Sequence, residues 1–227
     1  FILRGALHTL AVMLWFYAMT RIPIAEVTAI GFLNPIVATL GAALLLGEAL
    51  SWRRGLAILV ALAGALVVLR PGMRVLETGH LAQIGAALAF GLSYLVARQL
   101  AQRAPADVVV AMMALTVTIG LAPMAIAVWV PPTWEQVLGM GLVAVFATAG
   151  HYTMTRAFAV APMSVTQPVT FLQLIWASLL GVALFAEPFD AMVLVGGGMM
   201  IAAISYITWR EARLKSAPRG KDHRRSQ

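Results

Sequence analysis

Residues 31–48 read GFLNPIVATLGAALLLGE, an apolar stretch that is interrupted by Asn34-Pro35 and closed by Glu48. The uncharged run around it covers residues 27–47, and these 21 residues would rise about 31 Å as a helix, close to the hydrocarbon thickness of a bilayer. Because Pro35 cannot donate a hydrogen bond to the carbonyl four residues back, we expect a kink near Gly31. The stretch therefore predicts a kinked membrane-spanning helix.

The composition of the whole chain agrees with a membrane location. Of its 227 residues, 61% are hydrophobic and only 11% are charged, whereas soluble domains contain about 25% charged residues. Charges separate eight uncharged runs, which are continuous rather than alternating and so argue against a β-barrel. We therefore predict an all-α polytopic membrane protein with eight transmembrane helices, roughly at residues 5–20, 27–47, 55–69, 81–97, 108–130, 136–155, 164–186 and 191–209.

The basic residues predict the orientation of these helices. If the tail after Trp209 is cytoplasmic, 13 of the 16 lysines and arginines lie on that side and only Arg21, Arg70 and Arg74 lie on the other. This split fits the positive-inside rule and predicts a multi-pass inner-membrane protein with a cytoplasmic C-terminus. The basic tail, residues 211–227, is expected to be disordered and to lie beside anionic lipid. That explanation makes a nucleic-acid partner unnecessary.

A weak internal repeat runs through the chain. A shift of 139 residues aligns Pro23 with Pro162 and Glu48 with Glu187, and it places Asn34 on Gln173, one amide on another. Five crossings of the membrane separate the two copies, so the copies must run in opposite directions. Inverted-topology repeats of this kind are typical of secondary transporters, whose substrate sites lie near the bilayer midplane between the repeats.

The repeated residues also resemble a known family. The pattern A-x-x-x-I-P-x-A at residues 18–25, followed by F-x-x-P at 32–35, Gly47-Glu48 and a degenerate second copy ending ALFAEP at 183–188, resembles the EamA-type transporters of the drug/metabolite transporter superfamily. The resemblance implies ten helices in two inverted five-helix repeats. On that template, residues 1–72 are the remainder of the first repeat, residues 78–210 are the second, and the first two helices are absent.

Seven residues are candidates for a substrate site. Histidines inside a span are costly to bury and are functional candidates for that reason, amides beside a proline suit a polar cavity, and aromatic rings can stack on planar or cationic compounds. The candidates are His8, Trp15, Asn34, Tyr94, His151, Gln167 and Gln173. The alternatives stay open: amides and neutral histidines also serve as packing contacts between helices. Glu48 and Glu187 are interpreted as structural corners.

No motif of enzymatic chemistry is present in the sequence. There is no cysteine, no Walker A sequence, no His-Glu-x-x-His and no nucleophile elbow, so we predict no enzyme activity, no cofactor and no metal. The sequence predicts a secondary transporter that moves a small organic metabolite (an amino acid, a nucleoside-like or another planar or cationic compound) by alternating access. The alternative is a non-transporting membrane scaffold or a subunit of a flippase for a lipid-linked sugar. A homodimer is left open.

Overall fold

The computed structural model describes residues 1–46, 52–70, 75–101, 103–160 and 172–216. Within these residues the chain is helical and contains no strand, which confirms the predicted fold class. Within the described residues, each uncharged run lies in one helix, apart from the run at 27–47, which is divided between two, and the run at 164–186, of which only the part from residue 172 is described. The helices are α1 (Ile2–Met19), α2 (Ile24–Gly31), α3 (Asn34–Leu46), α4 (Trp52–Leu69), α5 (Thr78–Ala101), α6 (Ala106–Ala127), α7 (Trp134–Val160), α8 (Leu172–Phe185) and α9 (Ala191–Ser216).

The helices differ in how well they suit a membrane span. In the described part of the chain, four stretches are long and apolar enough to cross a bilayer: Ile2–Met19, Ile24–Leu45, Thr78–Ala101 and Ala106–Ala127. Gly55–Leu69, Gln173–Phe185 and Ala191–Ile207 are apolar but shorter. Shorter spans are accommodated by local thinning of the bilayer and by flanking residues that reach to the interface.

The predicted kink is confirmed as a break between α2 and α3. The amides of Phe32 and Leu33 donate to the carbonyls of Ala29 and Ile30, three residues back, at 3.1 and 3.0 Å. This tighter turn ends α2 at Gly31, and α3 begins at Asn34. The break lies where Pro35 removes the next backbone donor, so the chain changes helix within a single apolar run.

Helices that the repeat makes equivalent run antiparallel. The end of α4 meets the start of α9, because Arg70 forms an ion pair with Asp190. Further along, a Cβ on Gly64 would lie only 2.6 Å from the carbonyl oxygen of Gly196, so the two backbones cross closely. The shift of 139 residues that relates the copies places α4 on α9, and their opposite directions agree with the predicted inverted repeat.

The main apolar core lies where the two repeats meet. Its fully buried members include Val27 and Ile30 of α2, Val68 of α4 and Met200 of α9. A second packing unit joins α1, α5 and α6. In it a Cβ on Gly120 would lie 2.7 Å from Thr9, so α6 can approach α1 only because residue 120 has no side chain. This close approach brings the first two turns of α1 against α5 and α6.

Candidate functional site

Aromatic and imidazole rings from three helices meet at the middle of α5. The His8 ring of α1 lies edge-on to the Phe90 ring at 5.0 Å between centroids, and the His151 ring of α7 lies 5.9 Å from His8. Phe90 in turn stacks on Tyr94, one turn along α5, at 6.2 Å. The side chain of His8 is buried, while those of Tyr94 and His151 are half-buried. Three of the predicted site residues are therefore neighbours in space.

A buried arginine lies one turn from His8. Arg4 is only 5% exposed, its Nη1 donates to the carbonyl of Val109 at 2.9 Å, and its Nη2 contacts the sulfur of Met113 at 3.3 Å. Its Nε is buried and has no hydrogen-bond acceptor. Among the described residues no carboxylate forms a salt bridge with it. A buried guanidinium with a free donor has the chemistry to bind an anionic group.

Ser93 connects the arginine to the histidine. Its hydroxyl is fully buried, donates to the carbonyl of Arg4 at 3.4 Å and lies 3.5 Å from His8 Nδ1. We call these six residues the Arg4 cluster: Arg4, His8, Phe90, Ser93, Tyr94 and His151. It combines a cation, polar groups and flat rings in one place, which suits a ligand that has a planar ring and an anionic group.

The other predicted residues that the structure describes lie outside the Arg4 cluster. Trp15 lies beside Phe16 at 5.2 Å between ring centroids and packs against the apolar core. Asn34 begins α3 next to Gly91 of α5, and its Oδ1 is buried without a hydrogen-bond partner. Gln173 of α8 is exposed, and Gln167 lies outside the described residues. These four stay predictions.

The sequence reading missed Arg4, Phe90 and Ser93. It assigned Arg4 to the charges that set topology, because the residue borders an apolar run. A usable signal was the spacing of four residues between Arg4 and His8, and again between Phe90 and Tyr94, which places each pair on one helical face. Within the part of the chain that is described, no group of three or more His, Cys, Asp or Glu could hold a metal ion.

Polar contacts also gather where α2 and α5 begin, in a region we call the Glu26 end (Ile24, Glu26, Arg70, His80, Glu187 and Asp190). Both carboxylate oxygens of Glu187, in the turn after α8, accept from the backbone amide of Ile24, at 2.9 and 3.0 Å. The Arg70–Asp190 ion pair makes a second link between the repeats. The prediction that Glu187 forms a structural corner is refined: it caps α2 of the opposite repeat.

Antiparallel helices that are related by an internal repeat are typical of membrane carriers built on inverted repeats. A sequence model of the EamA-like transporter family matches residues 1–70 and 77–209. The chain belongs to this family, and it is a transporter rather than an enzyme.

Individual relatives are distant but match over most of the chain. An S-adenosylmethionine uptake transporter of Rickettsia prowazekii is 22% identical over 95% of this chain and 74% of its own length. A riboflavin transporter of Vibrio cholerae is 26% identical over 93% of this chain and 72% of its own. A pseudopaline exporter of Pseudomonas aeruginosa is 24% identical over 89% and 72%.

The fold is also found among solved crystal structures, as one example shows. It aligns with a TM-score of 0.58 and 19% identity, covering 95% of this chain and 86% of its own. At this identity the likeness concerns the arrangement of helices alone.

Proposed function

We propose that this chain carries a small organic metabolite with a planar ring and an anionic group across the inner membrane by alternating access. The observation that carries the proposal is the Arg4 cluster, where a buried guanidinium with a free Nε lies one turn from the His8 ring. An anionic group would satisfy Arg4, and the planar part would stack among the rings of His8, Phe90 and His151.

The position of the cluster supports this role. Phe90 lies at the midpoint of α5, so the ligand would sit near the middle of the membrane, where inverted-repeat carriers bind their substrates. The polar Oδ1 of Asn34 and Oε1 of Gln83 are likewise buried without partners and offer acceptors to a polar ligand. Asn34 remains a candidate contact for this reason, together with Trp15, Gln167 and Gln173.

The relatives narrow the choice of probes. S-adenosylmethionine has a purine ring and a carboxylate, and riboflavin has a flat ring system, so both are suitable test compounds. The relatives include both uptake and export proteins, so the direction is left to experiment. We also propose that the C-terminal tail is cytoplasmic, which would place the Glu26 end on the outer side.

The test is transport by the natural full-length protein in liposomes. Radiolabelled metabolites with and without an anionic group are offered on either side, and we expect saturable movement of anionic, ring-containing compounds that a His8→Leu variant loses. Arg21→Gln, which changes an exposed arginine outside the cluster, is the matched control. Movement of a lipid-linked sugar, with no effect of His8→Leu, would favour the flippase alternative over the carrier.

A further inference from the structure

A carboxylate and an imidazole are buried together at the Glu26 end. Glu26 lies in the first turn of α2 and His80 in the first turn of α5; they are 4% and 3% exposed, and His80 Nε2 is 2.9 Å from Glu26 Oε2. In the sequence, Glu26 directly precedes the uncharged run at 27–47, and His80 directly precedes the run at 81–97. The structure instead buries them inside the bundle, where an ionisable group is expensive to keep unless it is used.

The protonation state of the pair follows from its hydrogen bonds. The backbone amide of Glu77 donates to His80 Nδ1 at 3.0 Å, so Nδ1 must be an acceptor. The imidazole is then neutral and carries its hydrogen on Nε2, from which it donates to Glu26. Glu26 Oε2 is therefore the acceptor. Uptake or loss of one proton on the Glu26 carboxyl group would change the charge of the pair by one while this hydrogen bond is kept.

In the described part of the chain, the charged side chains near the pair have partners of their own or are exposed. From the turn before α2, Arg21 lies over the Tyr17 ring at 4.7 Å, and from the end of α4 Arg70 pairs with Asp190. From the turn after α8, Glu187 accepts the Ile24 amide. From the start of α5, Glu77 is exposed. Of the titratable side chains described at this end, Glu26 and His80 alone are buried.

One face of α5 connects the pair to the substrate cluster. His80, Gln83, Ala87, Phe90 and Tyr94 follow one another at spacings of three and four residues, so they line a single stripe. Ten residues from His80 to Phe90 correspond to about 15 Å along the helix.

Gln83 links this stripe to the helix that contains Glu26. Its Nε2 donates to the carbonyl of Val27 at 2.9 Å and lies beside Gly31, where α2 breaks. Glu26 precedes Val27 directly, so a change in its charge acts on the short helix that ends at the break.

We propose that Glu26, held by His80, is the proton-binding site through which this carrier couples substrate movement to a proton gradient. A proton from the water on one side adds to a Glu26 carboxylate oxygen, no other bond changes, and the proton leaves to the other side when α2 and α5 shift. The coupling rests on the proposed function. The proton site itself does not, because it can be observed without any substrate.

The first experiment is infrared difference spectroscopy of the full-length protein in lipid nanodiscs while the pH is lowered. We expect a protonated-carboxyl band that Glu26→Gln lacks and that Glu77→Gln, the exposed neighbour, keeps. A band that persists in Glu26→Gln overturns the proposal. Should Glu26→Gln fail to fold, His80→Gln decides: the band must shift in frequency, because its hydrogen-bond partner has changed, and an unshifted band overturns the proposal.

The second experiment tests coupling in liposomes with S-adenosylmethionine and riboflavin as probes. For one proton per substrate, a gradient of about one pH unit raises accumulation of the moved probe up to ~10-fold. The ratio of accumulation with and without the gradient should fall to unity in Glu26→Gln and be retained in Glu77→Gln. A ratio of unity in the wild-type protein overturns the coupling. If neither probe moves in the wild type, the proposed function fails for these compounds, and the infrared result still decides the proton site.

Discussion

The Glu26 end and the Arg4 cluster differ in whether a carboxylate of the described chain pairs with the arginine. At the Glu26 end, Glu187 takes up the Ile24 amide, Arg70 pairs with Asp190, and His80 bonds Glu26. In the Arg4 cluster, the Nε of Arg4 is buried without an acceptor, and its Nη2 meets only the sulfur of Met113, a weak acceptor. The Nε of Arg70 is likewise buried without an acceptor, so the difference is that Arg70 has a carboxylate partner in Asp190, whereas no described carboxylate pairs with Arg4.

This difference indicates that the Glu26 end holds the two repeats together, whereas the Arg4 cluster can bind a ligand. Buried polar groups in folded proteins are nearly always paired, so an unpaired one requires a specific reason, such as a ligand that completes the pairing. The contacts of Glu187 and Asp190 join the second repeat to the first and hold the Glu26 end together. We therefore expect substitutions of Glu187, Arg70 and Asp190 to change stability, and substitutions in the Arg4 cluster to change binding.

The largest expected effect is that of Arg4→Gln on substrate affinity. A hydrogen bond to a charged group contributes roughly 1.5–3 kcal/mol, so losing it should weaken binding by about 10- to 100-fold. Stability should change little, because the glutamine also removes a charge that is costly to bury. Binding of S-adenosylmethionine, the test compound with a carboxylate, is measured by isothermal titration calorimetry on the full-length protein, with Arg21→Gln as the control. Intact affinity combined with a lower unfolding temperature would instead make Arg4 a structural residue.

A smaller effect is expected at the cap of α2. Glu187→Ala removes both acceptors of the Ile24 amide and the negative charge at the helix start, which should lower the free energy of unfolding by about 1–2 kcal/mol. Glu187→Gln keeps an acceptor and loses only the charge, so its cost should be about 0.5 kcal/mol. Unfolding in detergent, followed by circular dichroism, measures both. Equal effects of the two variants would show that the hydrogen bonds to Ile24 contribute nothing.

The ion pair between Arg70 and Asp190 should contribute less. Both side chains are 26% exposed, and pairs that retain solvent contact contribute about 0.2–1 kcal/mol. A double-mutant cycle with Arg70→Gln and Asp190→Asn measures the coupling, and the asparagine retains an oxygen for the Met192 amide that Asp190 caps at 2.9 Å. Added salt should reduce the coupling. If the coupling free energy does not change in molar salt, the ion pair is shielded from solvent, and the expectation of a weak, solvent-exposed pair is wrong.

The same two regions show what the sequence could predict. The spans and the break before Asn34 were predictable, because hydropathy and the missing donor of Pro35 act within one helix. The repeat was detectable because Pro23 and Glu48 recur together at one offset. His8, Tyr94 and His151 stood out because polar or ionisable side chains are unusual in apolar runs.

What the sequence could not predict depends on neighbouring helices. Arg4 and Glu26 border apolar runs, and a charge in that position is usually explained by the membrane interface. Arg4 is buried because α5 and α6 pack closely against α1, and Glu26 is buried because α5 packs against α2. The sequence of a single apolar run does not predict these contacts between helices. The partner of Glu187 was missed for a similar reason, because its carboxylate accepts from the backbone amide of Ile24, which lies 163 residues away in the sequence.

The smallest effect concerns the residue before the Glu187 cap. Ala186 has φ 53°, a left-handed conformation that costs an L-residue about 1–2 kcal/mol. The first copy of the repeat has Gly47 at this position. Ala186→Gly should therefore raise the free energy of unfolding by about 0.5 kcal/mol, because relief of this strain exceeds the added entropy of the unfolded chain. Ala183→Gly, inside α8, is the matched control and should lower it by about 1 kcal/mol. If both glycines destabilise equally, the strain at residue 186 is not real, and the turn that positions Glu187 is held by its contacts alone.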